Sequence, residues 1–408
     1  MYSGGLPPAK HLVPFARTWR MKVFISLFCC LLAIHATARP PVLDPGLYLA
    51  PDARKIYVGV ESDGTTTYND FYDPANQRIG SIRDANGYRR VSAVSEEPRV
   101  LTKANGALGV SLYYSGSGPR ATVVLVHGNE AETREMGAII PYFVSNGVNV
   151  ISYDQRGSGR SAGSFLASGP AQRAQDVVDI YDAFKHDPHV DRGKIGVYGF
   201  SNGGWTAPIV AERRPLAFMI LGSAPAESIA DNADFEVTQI MKQHNIGAAE
   251  ISQALGTWHA IEDALAGRAS WDRAKRFYDR AKAQAWFTAS LLPTFIKSVP
   301  PTPDEAIALQ RLLIFDPEST LRKVRTPTLA LYGELDRNVD VSDSAKRLAA
   351  AFSKSGLRDF TVVTYPNADH LLIVSKNGYM EDEPVPNRYV NGYPSVMIDW
   401  LRHHQLLG

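Results

Sequence analysis

The sequence is poor in cysteine. Its 408 residues contain two, Cys29 and Cys30, which are adjacent in an apolar run near the N-terminus. If that run is removed on export, the remaining chain has no cysteine, which excludes disulfides, a thiol nucleophile and thiolate metal sites. An excess of positive charge is also missing, since 43 lysines and arginines face 42 acidic residues for a net charge of +1. Such a chain has no electrostatic footprint for nucleic acid, and we expect no such partner.

A long apolar run is missing as well. Residues 23–33 are apolar and follow Lys22, but the run is shorter than the roughly 20 residues that span a bilayer. Residues 36–38 read Ala-Thr-Ala, small side chains of the kind that a signal peptidase reads. We therefore predict that 1–38 comprise an upstream extension and a signal peptide cleaved after Ala38. The mature protein is then secreted or periplasmic, with no stable membrane span.

Two alternatives concern the same region. An uncleaved anchor is disfavoured by the length of the run, and lipid attachment at Cys29 by the bulky Phe28, where such signals need a small residue. Met21 lies directly before Lys22, so translation starting there would leave residues 1–20 outside the protein.

In the rest of the chain, the pattern of predicted secondary structure changes once. Over 39–118, β-prone stretches such as 55–60 and 109–114 are separated by Asp, Asn and Gly turns, which predicts an antiparallel β segment. From there, continuous apolar runs such as 121–126 and 148–153 alternate with helical stretches, which is typical of parallel strands covered on both faces. We predict an α/β fold class with a mostly parallel central sheet flanked by helices.

The alternation of predicted strands and helices is interrupted for about a hundred residues and then resumes. Helical patterns fill this gap, at 235–244, 248–265, 271–291 and 303–313. We interpret the gap as a helical cap over 225–320, inserted between a first core part, 119–224, and a second, 321–408. The cap's aromatic residues either line an acyl pocket or pack the cap onto the core: Trp258, Trp271, Trp286, Phe287 and Phe295.

A serine flanked by glycines follows one predicted strand. Residues 199–204 read Gly-Phe-Ser-Asn-Gly-Gly, directly after the strand that ends at Tyr198 and before a helical stretch, 205–212. Glycines remove the Cβ atoms that would clash in a tight strand-to-helix turn. The turn presents Ser201 at the sheet edge, near a helix N-terminus that favours an oxyanion. Ser201 is the candidate nucleophile, and an ordinary glycine-rich turn is the alternative.

A serine nucleophile needs a base, and the base needs an orienting carboxylate. Residues 331–336, Leu-Tyr-Gly-Glu-Leu-Asp, end a predicted strand at Asp336, and residues 365–370, Tyr-Pro-Asn-Ala-Asp-His, place His370 after the next one. The chain order Ser, Asp, His is the order that accompanies such a turn. We therefore predict Ser201, Asp336 and His370 as the catalytic residues.

Other residues are candidates for the acid and the base. Asp340 and Asp343 are alternatives to Asp336, which lies closest to the strand end. His403 and His404 are expected to cap the terminal helix, where positive charge suits the helix dipole.

The strand ending at Val126 is followed by residues 127–130, His-Gly-Asn-Glu. In this position the backbone N–H of Asn129 could join that of Asn202 in stabilising a tetrahedral oxyanion. The functional group is then the backbone, and we expect His127 itself to be a buried hydrogen-bonding residue rather than an acid or base.

A third loop, 154–161, reads Asp-Gln-Arg-Gly-Ser-Gly-Arg-Ser. A dinucleotide-binding loop is disfavoured, because the third glycine is displaced to Gly163 and no second strand ends in an acidic residue at the usual distance. We expect Asp154, Arg156 and the glycines to hold the loop conformation, and we predict neither a cofactor nor a metal.

These motifs together resemble the α/β-hydrolase superfamily from about Val123 onwards, with the cap as the variable part. Residues 199–204, 327–336 and 367–370 are similar to those of bacterial esterases and serine aminopeptidase-like hydrolases. The resemblance implies the α/β-hydrolase fold and a metal-independent acyl-enzyme mechanism.

The resemblance leaves the substrate open, because one fold hosts many chemistries. An ester of a small-molecule acid is the leading hypothesis. A peptidase or amidase acting on short peptides is the alternative, and it predicts a carboxylate that binds a free amine, from among the cap acids Glu227, Asp231, Asp234 and Glu236. A non-catalytic binding module and acyl transfer are further alternatives, and the oligomeric state is open.

Overall fold

A central sheet is the main feature of the computed structural model, which describes residues 43, 46–51, 55–60, 66–70, 86–90, 94–114, 116–128, 132–134, 136, 139–379 and 389–407. The strands in these residues are β1 Gly46–Leu49, β2 Lys55–Val60, β3 Thr66–Asp70, β4 Arg89–Arg90, β5 Ser95–Lys103, β6 Gly106–Tyr114, β7 Arg120–Val126, β8 Asn149–Tyr153, β9 Val190–Phe200, β10 Phe218–Gly222, β11 Thr328–Gly333 and β12 Phe360–Tyr365.

The helices alternate with the later strands. They are α1 Ile139–Ser145, α2 Pro170–Phe184, α3 Gly203–Arg213, α4 Ile229–Gln243, α5 Ala248–Leu265, α6 Trp271–Lys282, α7 Leu292–Phe295, α8 Pro303–Leu313, α9 Glu318–Leu321, α10 Val341–Ser355 and α11 Ser395–His403, with a 3₁₀ turn at Phe287–Ser290.

Eight strands form the main sheet in the order β12-β11-β10-β9-β7-β8-β6-β5. All neighbours from β8 to β12 are parallel, whereas β6 runs antiparallel to β8 and to β5. The chain passes from β7 to β8 on one side and then to β9 on the other. Crevices at the carboxyl ends of strands lie at such reversals of strand order. The predicted fold class, an α/β-hydrolase fold with a mostly parallel sheet, is confirmed.

Both faces of this sheet are buried, as the continuous apolar runs predict. In β7, Val124 and Val126 pack in a core that includes α2, α3 and α10, while Val123 and Leu125 pack in a second core with α1 and α11. Successive side chains of a strand point to opposite faces. Burial on both faces therefore requires a run without polar interruption.

The antiparallel N-terminal segment is divided between two sheets. Strands β1 to β4 form a separate sheet of order β3-β2-β1-β4, whereas the β5–β6 hairpin belongs to the main sheet. In the hairpin, β6 pairs with β8 from Val110↔Tyr153 to Tyr113↔Val150. The boundary predicted at 118 therefore does not separate the sheets, because β-propensity alone does not specify a strand's partner.

The predicted cap contains α4 to α8, which pack into a core of their own. Trp205 on α3 belongs to this cap core and donates its indole N–H to the Glu227 carbonyl at 2.9 Å, which ties the cap to the sheet.

The helix predicted over 271–291 is too long, since α6 ends at Lys282. The buried residues of α6 are Ala274, Tyr278 and Ala281. If the helix continued with the same spacing, Ala285 and Thr288 would be buried next, yet both are exposed. The chain instead turns to bury Trp286, which periodicity over the first three turns does not reveal.

The predicted extension and signal peptide, 1–38, lie outside the described residues and stay a prediction. In the described part of the chain, no helix is both long and apolar enough to cross a bilayer.

Glu262 is an unusual buried acid within the cap. This α5 side chain belongs to a residue that is 5% exposed, and its Oε1 has no hydrogen-bond partner. Burial, together with the nearby Asp234 carboxylate, raises the pKa of Glu262 to about 7. The folded protein thus retains this proton over a pH range in which an unfolded chain releases it.

We predict that Glu262→Gln stabilises the protein at high pH. A raised carboxyl pKa makes stability fall as pH rises from the unfolded value, near 4.5, to about 7, and the deficit persists above that. The amide removes this deficit, so the Tm should rise by roughly 2–4 °C at pH 8 and change little at pH 4.5. Exposed Glu250 on the same helix is the control, and an equal gain for Glu250→Gln would contradict the prediction.

Candidate active site

Ser201 occupies a strained turn between β9 and α3. Its φ is +51°, in the left-handed region that costs a non-glycine residue about 1–3 kcal/mol. The Ser201 N–H donates to the Gly222 carbonyl at the end of β10 at 2.8 Å, and the Ser201 carbonyl accepts the N–H of Gly204 at 2.8 Å. These bonds hold the serine at the carboxyl end of the sheet, at the N-terminus of α3.

The glycines around Ser201 are required by close backbone packing. A Cβ on Gly203 would lie 2.4 Å from the Val126 carbonyl oxygen, and one on Gly199 would lie 2.6 Å from the carbonyl oxygen of Gly203. A Cβ on Gly204 would lie 2.3 Å from the Cβ of Ala224. Helix α3 therefore lies against the ends of β7 and β10 at a distance that only glycine permits.

The three predicted catalytic residues form one hydrogen-bonded chain. His370 Nε2 lies 3.0 Å from Ser201 Oγ, and His370 Nδ1 lies 2.8 Å from Asp336 Oδ2. A carboxylate only accepts, so Nδ1 carries the proton and Nε2 is left to accept from the serine hydroxyl. This is the geometry of a nucleophile, its base and the acid that orients the base.

Asp336 is fixed by its own loop. Its Oδ1 accepts the N–H of Asn338 at 2.8 Å and that of Val339 at 2.9 Å, which leaves Oδ2 for His370. The two alternatives are engaged elsewhere: Asp340 caps α10 by accepting the N–H of Asp343 at 3.0 Å, and Asp343 pairs with Arg347. The structure brings Asp336, and neither of those residues, to His370.

His370 is buried beneath the ring of Phe200, 5.4 Å away between centroids. Its carbonyl accepts from the Ser223 hydroxyl at 2.7 Å, which anchors the loop after β12. Burial lowers the pKa of His370, but the Asp336 carboxylate outweighs it, with further help from Glu236 and Asp369, so the net pKa is raised. The imidazolium is thus stabilised where a base would take a proton.

Of the two residues predicted for the oxyanion hole, the structure describes one. Asn129 lies outside the described residues. Asn202 is the N-cap residue of α3, and its backbone N–H has no backbone acceptor among the described residues. Gly128 borders the serine, since a Cβ there would lie 3.3 Å from the Ser201 Cβ.

His127 is buried with both ring nitrogens engaged. Nε2 donates to the Tyr153 carbonyl at 2.7 Å, and Nδ1 lies 2.9 Å from Glu132 Oε2. The side chain joins the ends of β7 and β8. It is not directed at Ser201 in the way that His370 is, in agreement with the structural role expected for it.

The 154–161 loop is held by two buried ion pairs. Asp154 accepts from the Arg134 guanidinium at 3.1 Å and from the Arg160 N–H at 2.8 Å. Arg156 donates to both carboxylate oxygens of Asp176, at 2.7 and 2.8 Å. These contacts give Asp154 and Arg156 the loop-holding role expected of them.

The comparison with known families agrees with this geometry. Residues 117–377 match the serine aminopeptidase, S33 family (Hydrolase_4), which is more than half of the chain. The chain belongs to this family. It is a hydrolase of the α/β-hydrolase superfamily, and the resemblance inferred from the motifs is confirmed.

More distant similarities are also found. The hydrolase is 25% identical over 274 residues to a 2-hydroxy-6-oxo-6-(2'-aminophenyl)hexa-2,4-dienoic acid hydrolase of Metapseudomonas resinovorans, across 64% of this chain and 84% of that one. Among solved structures, a Pyrococcus furiosus esterase matches with TM-score 0.46 and 15% identity over 77% of this chain and 92% of its own. A Mycobacterium smegmatis proline iminopeptidase matches with TM-score 0.46 and 16% identity over 76% and 99%.

The four acidic residues of the cap differ in their surroundings. Glu227 is buried and bonded to Ser344 and Asn232, and Asp231 is exposed, 3.4 Å from Arg347. Asp234 pairs with His259 at 2.7 Å. Glu236 is the one linked to the acid loop, because its Oε1 accepts from Asn338 Nδ2 at 3.3 Å, and its charge acts to raise the pKa of His370.

The cap aromatics lie mainly in the cap core. Trp258 and Trp286 are buried there, and the Trp258 indole donates to the Ser290 carbonyl at 2.9 Å. Trp271, Phe287 and Phe295 pack against the same core. The structure thus favours the packing role over an acyl pocket for the two buried indoles.

Within the described residues, one cluster has metal-ligand chemistry. Glu97, Asp187 and His189 bring a carboxylate, a carboxylate and an imidazole close together. The Arg99 guanidinium donates to both carboxylates, at 2.8 Å to Glu97 and 2.5 Å to Asp187. The positive charge of this cluster is therefore already supplied by arginine.

Sequence patterns did not single out Asn338, which binds both Asp336 and the cap. In the sequence, Asn338 looks like any other polar residue in a loop. The only indication of a role is its position two residues after Asp336. Ser223, which anchors His370 and itself has a φ of +46°, was missed for the same reason.

We predict that Gly203→Ala destabilises the hydrolase and slows modification of Ser201. The added Cβ would meet the Val126 carbonyl at 2.4 Å, so α3 must shift. Overpacking of this kind costs about 1–3 kcal/mol, and displacement of the serine should slow fluorophosphonate labelling at least ~10-fold. Melting curves and labelling rates test both effects. Exposed Gly193, whose Cβ would meet only Asp191 Oδ1 at 3.4 Å, is the matched control, and equal losses for Gly193→Ala would refute the packing argument.

Proposed function

We propose that this hydrolase cleaves a carboxylic ester through an acyl-enzyme formed on Ser201. The observation that carries the proposal is the hydrogen-bonded chain from Ser201 Oγ through His370 to Asp336, at 3.0 and 2.8 Å. Export to the periplasm or the exterior is part of the proposal, because the N-terminal sequence favours it.

The proposed reaction follows from the position of each group. His370 Nε2 takes the proton of Ser201 Oγ as the oxygen attacks the ester carbonyl, and Asp336 stabilises the resulting imidazolium. The oxyanion lies near the N-terminus of α3, where the Asn202 N–H favours negative charge. The imidazolium then protonates the leaving alcohol. Water, deprotonated by His370, attacks the acyl carbon, and the imidazolium returns its proton to Ser201 Oγ as the acid leaves.

An aminopeptidase is the second candidate, and Glu236 is the observation that favours it. A cap carboxylate bonded to the loop that carries Asp336 is suited to bind the free ammonium group of a short peptide. The remaining cap acids support this less, because Glu227 is buried, Asp234 is paired with the His259 imidazole and Asp231 is exposed, whereas Glu236 accepts from the neutral amide of Asn338. A single carboxylate is a smaller recognition site than an amine-specific enzyme is expected to need, so the ester hypothesis stays first.

We predict turnover of p-nitrophenyl esters by the mature chain, residues 39–408, and its loss in Ser201→Ala. Esters of graded acyl length should be compared with aminoacyl and prolyl anilides under the same conditions. The acyl length with the highest kcat/KM would indicate the length of the acyl-binding pocket.

The other outcomes are equally informative. Efficient anilide cleavage with poor ester turnover would replace the esterase by the peptidase. Activity that survives in Ser201→Ala would remove Ser201 from the mechanism. No turnover together with no fluorophosphonate labelling would favour a non-catalytic binding module.

We predict that Asp336→Asn lowers kcat by about 10³-fold or more, with a smaller change in KM. The amide can donate to His370 Nδ1, which would place the ring proton on Nε2 and leave the serine without an acceptor. The measurement is ester turnover at pH 8.

Asp340→Asn is the matched control for that substitution. Asparagine caps helices as well as aspartate does, so activity should stay within about twofold of the unsubstituted enzyme. If Asp340→Asn were the damaging change and Asp336→Asn the mild one, the assignment of the acid would be wrong.

A further inference from the structure

Asn338 joins the cap to the loop that carries the catalytic acid. Its backbone N–H donates to Asp336 Oδ1 at 2.8 Å. Its carbonyl accepts from Asn232 Nδ2 at 2.8 Å, and its own Nδ2 donates to Glu236 Oε1 at 3.3 Å. Asn232 and Glu236 both lie on α4, so one helix of the cap holds both ends of this residue.

The connection is anchored in the core as well. Asn232 Nδ2 also donates to Glu227 Oε1 at 3.1 Å, and Glu227 accepts from the hydroxyl of Ser344 on α10. Asn232, Glu227 and Ser344 are all buried. The position of α4 relative to the acid loop is therefore defined by several hydrogen bonds, of which those to Glu227 are buried and those to Asn338 are part-buried.

Glu236 is the cap's acidic contribution to the catalytic centre. The negative charges that raise the pKa of His370 are those of Asp336, which also bonds to the ring, of Glu236 on α4 and of Asp369 in the same loop as His370. Glu236 lies one hydrogen bond from the acid loop, through Asn338 Nδ2, and the Asp336 carboxylate adds to the rise in the pKa of Glu236. Burial raises the pKa of Glu236, while the charge of His370 acts in the opposite direction. Proton uptake by the ring and ionisation of this carboxyl thus favour each other.

We propose that Glu236 is a positioning residue of the catalytic centre, a second counter-charge for the His370 imidazolium that the cap supplies when it is docked on Asn338. Asp336 orients the ring and is held by the core loop, whereas Glu236 acts through space. Movement of α4 away from Asn338 would weaken the base. The proposal rests on the proposed function in one respect, that His370 is the base.

Glu236→Gln separates charge from packing. Glutamine has nearly the same size and keeps an acceptor oxygen for Asn338 Nδ2, but it removes the negative charge. Asp231→Asn is the matched control, because it removes one carboxylate from the same helix at an exposed position. Neither residue is needed for the hydrogen bonds of Ser201 or Asp336.

The first measurement is the pH dependence of Ser201 labelling by a fluorophosphonate, which depends on deprotonated His370 and not on the natural substrate. We expect the acid limb of the rate profile to move to lower pH in Glu236→Gln, because the neutral ring is favoured once the neighbouring charge is gone. Asp231→Asn should leave the limb unchanged. On the alkaline plateau, where the labelling rate no longer depends on pH, the rates should agree within about twofold.

The second measurement is an NMR titration of histidine-labelled protein, with the His370 signal assigned by its loss in His370→Asn. It reads the proton affinity of the ring without any reaction at Ser201. If Ser201 is not labelled at any pH, the proposed function fails, and this titration still decides the role of Glu236.

An unchanged His370 titration in Glu236→Gln would overturn the proposal. A labelling rate that falls equally at all pH values, with no shift of the acid limb, would show that Glu236 has only a structural role. That result would also overturn the proposal. A raised KM for aminoacyl anilides without a shift in the titration would assign Glu236 to substrate amine binding instead.

Discussion

The close approach of α3 to the ends of β7 and β10 is the constraint on which the site depends. Ser201 has left-handed backbone at φ +51°, and Gly203 lies where a Cβ would be 2.4 Å from the Val126 carbonyl oxygen. Strain of this kind persists only where the surrounding structure enforces it. Here the bond from the Ser201 N–H to the Gly222 carbonyl does so, and it directs the hydroxyl out of the sheet.

The order of the strands determines what meets the serine. Because β9 is flanked by β7 and β10, the turn after β9 lies beside Gly128 on one side and beside Ser223 on the other. Ser223 in turn binds the His370 carbonyl at 2.7 Å, although 147 residues separate the two in sequence. The base is thus positioned by the backbone of neighbouring strand ends and by its bond to Asp336, which is why its ring needs no contact with the cap to face Ser201.

The sequence was informative where one local rule decides the structure. Continuous apolar runs predicted β7 and β8, because Val123 and Val124 point to opposite and equally buried faces. Ser201, Asp336 and His370 could be singled out because each follows a predicted strand, and parallel strands bring their carboxyl ends to one edge. The pattern failed where a distant partner decides. It did not show that β6 pairs with β8, nor that α6 ends early so that Trp286 can be buried.

Glu236 shows the same limit at the site itself. The sequence placed it among four acidic residues of the cap that differ in nothing local, and only the docking of α4 on Asn338 separates it from the others. That docking uses polar hydrogen bonds. Partial burial of the Glu236 carboxylate costs free energy unless an opposite charge compensates it. The imidazolium that forms when Ser201 is deprotonated supplies the compensating charge. Because the cap has a core of its own, a counter-charge placed there can change without altering the core that holds Ser201, His370 and Asp336.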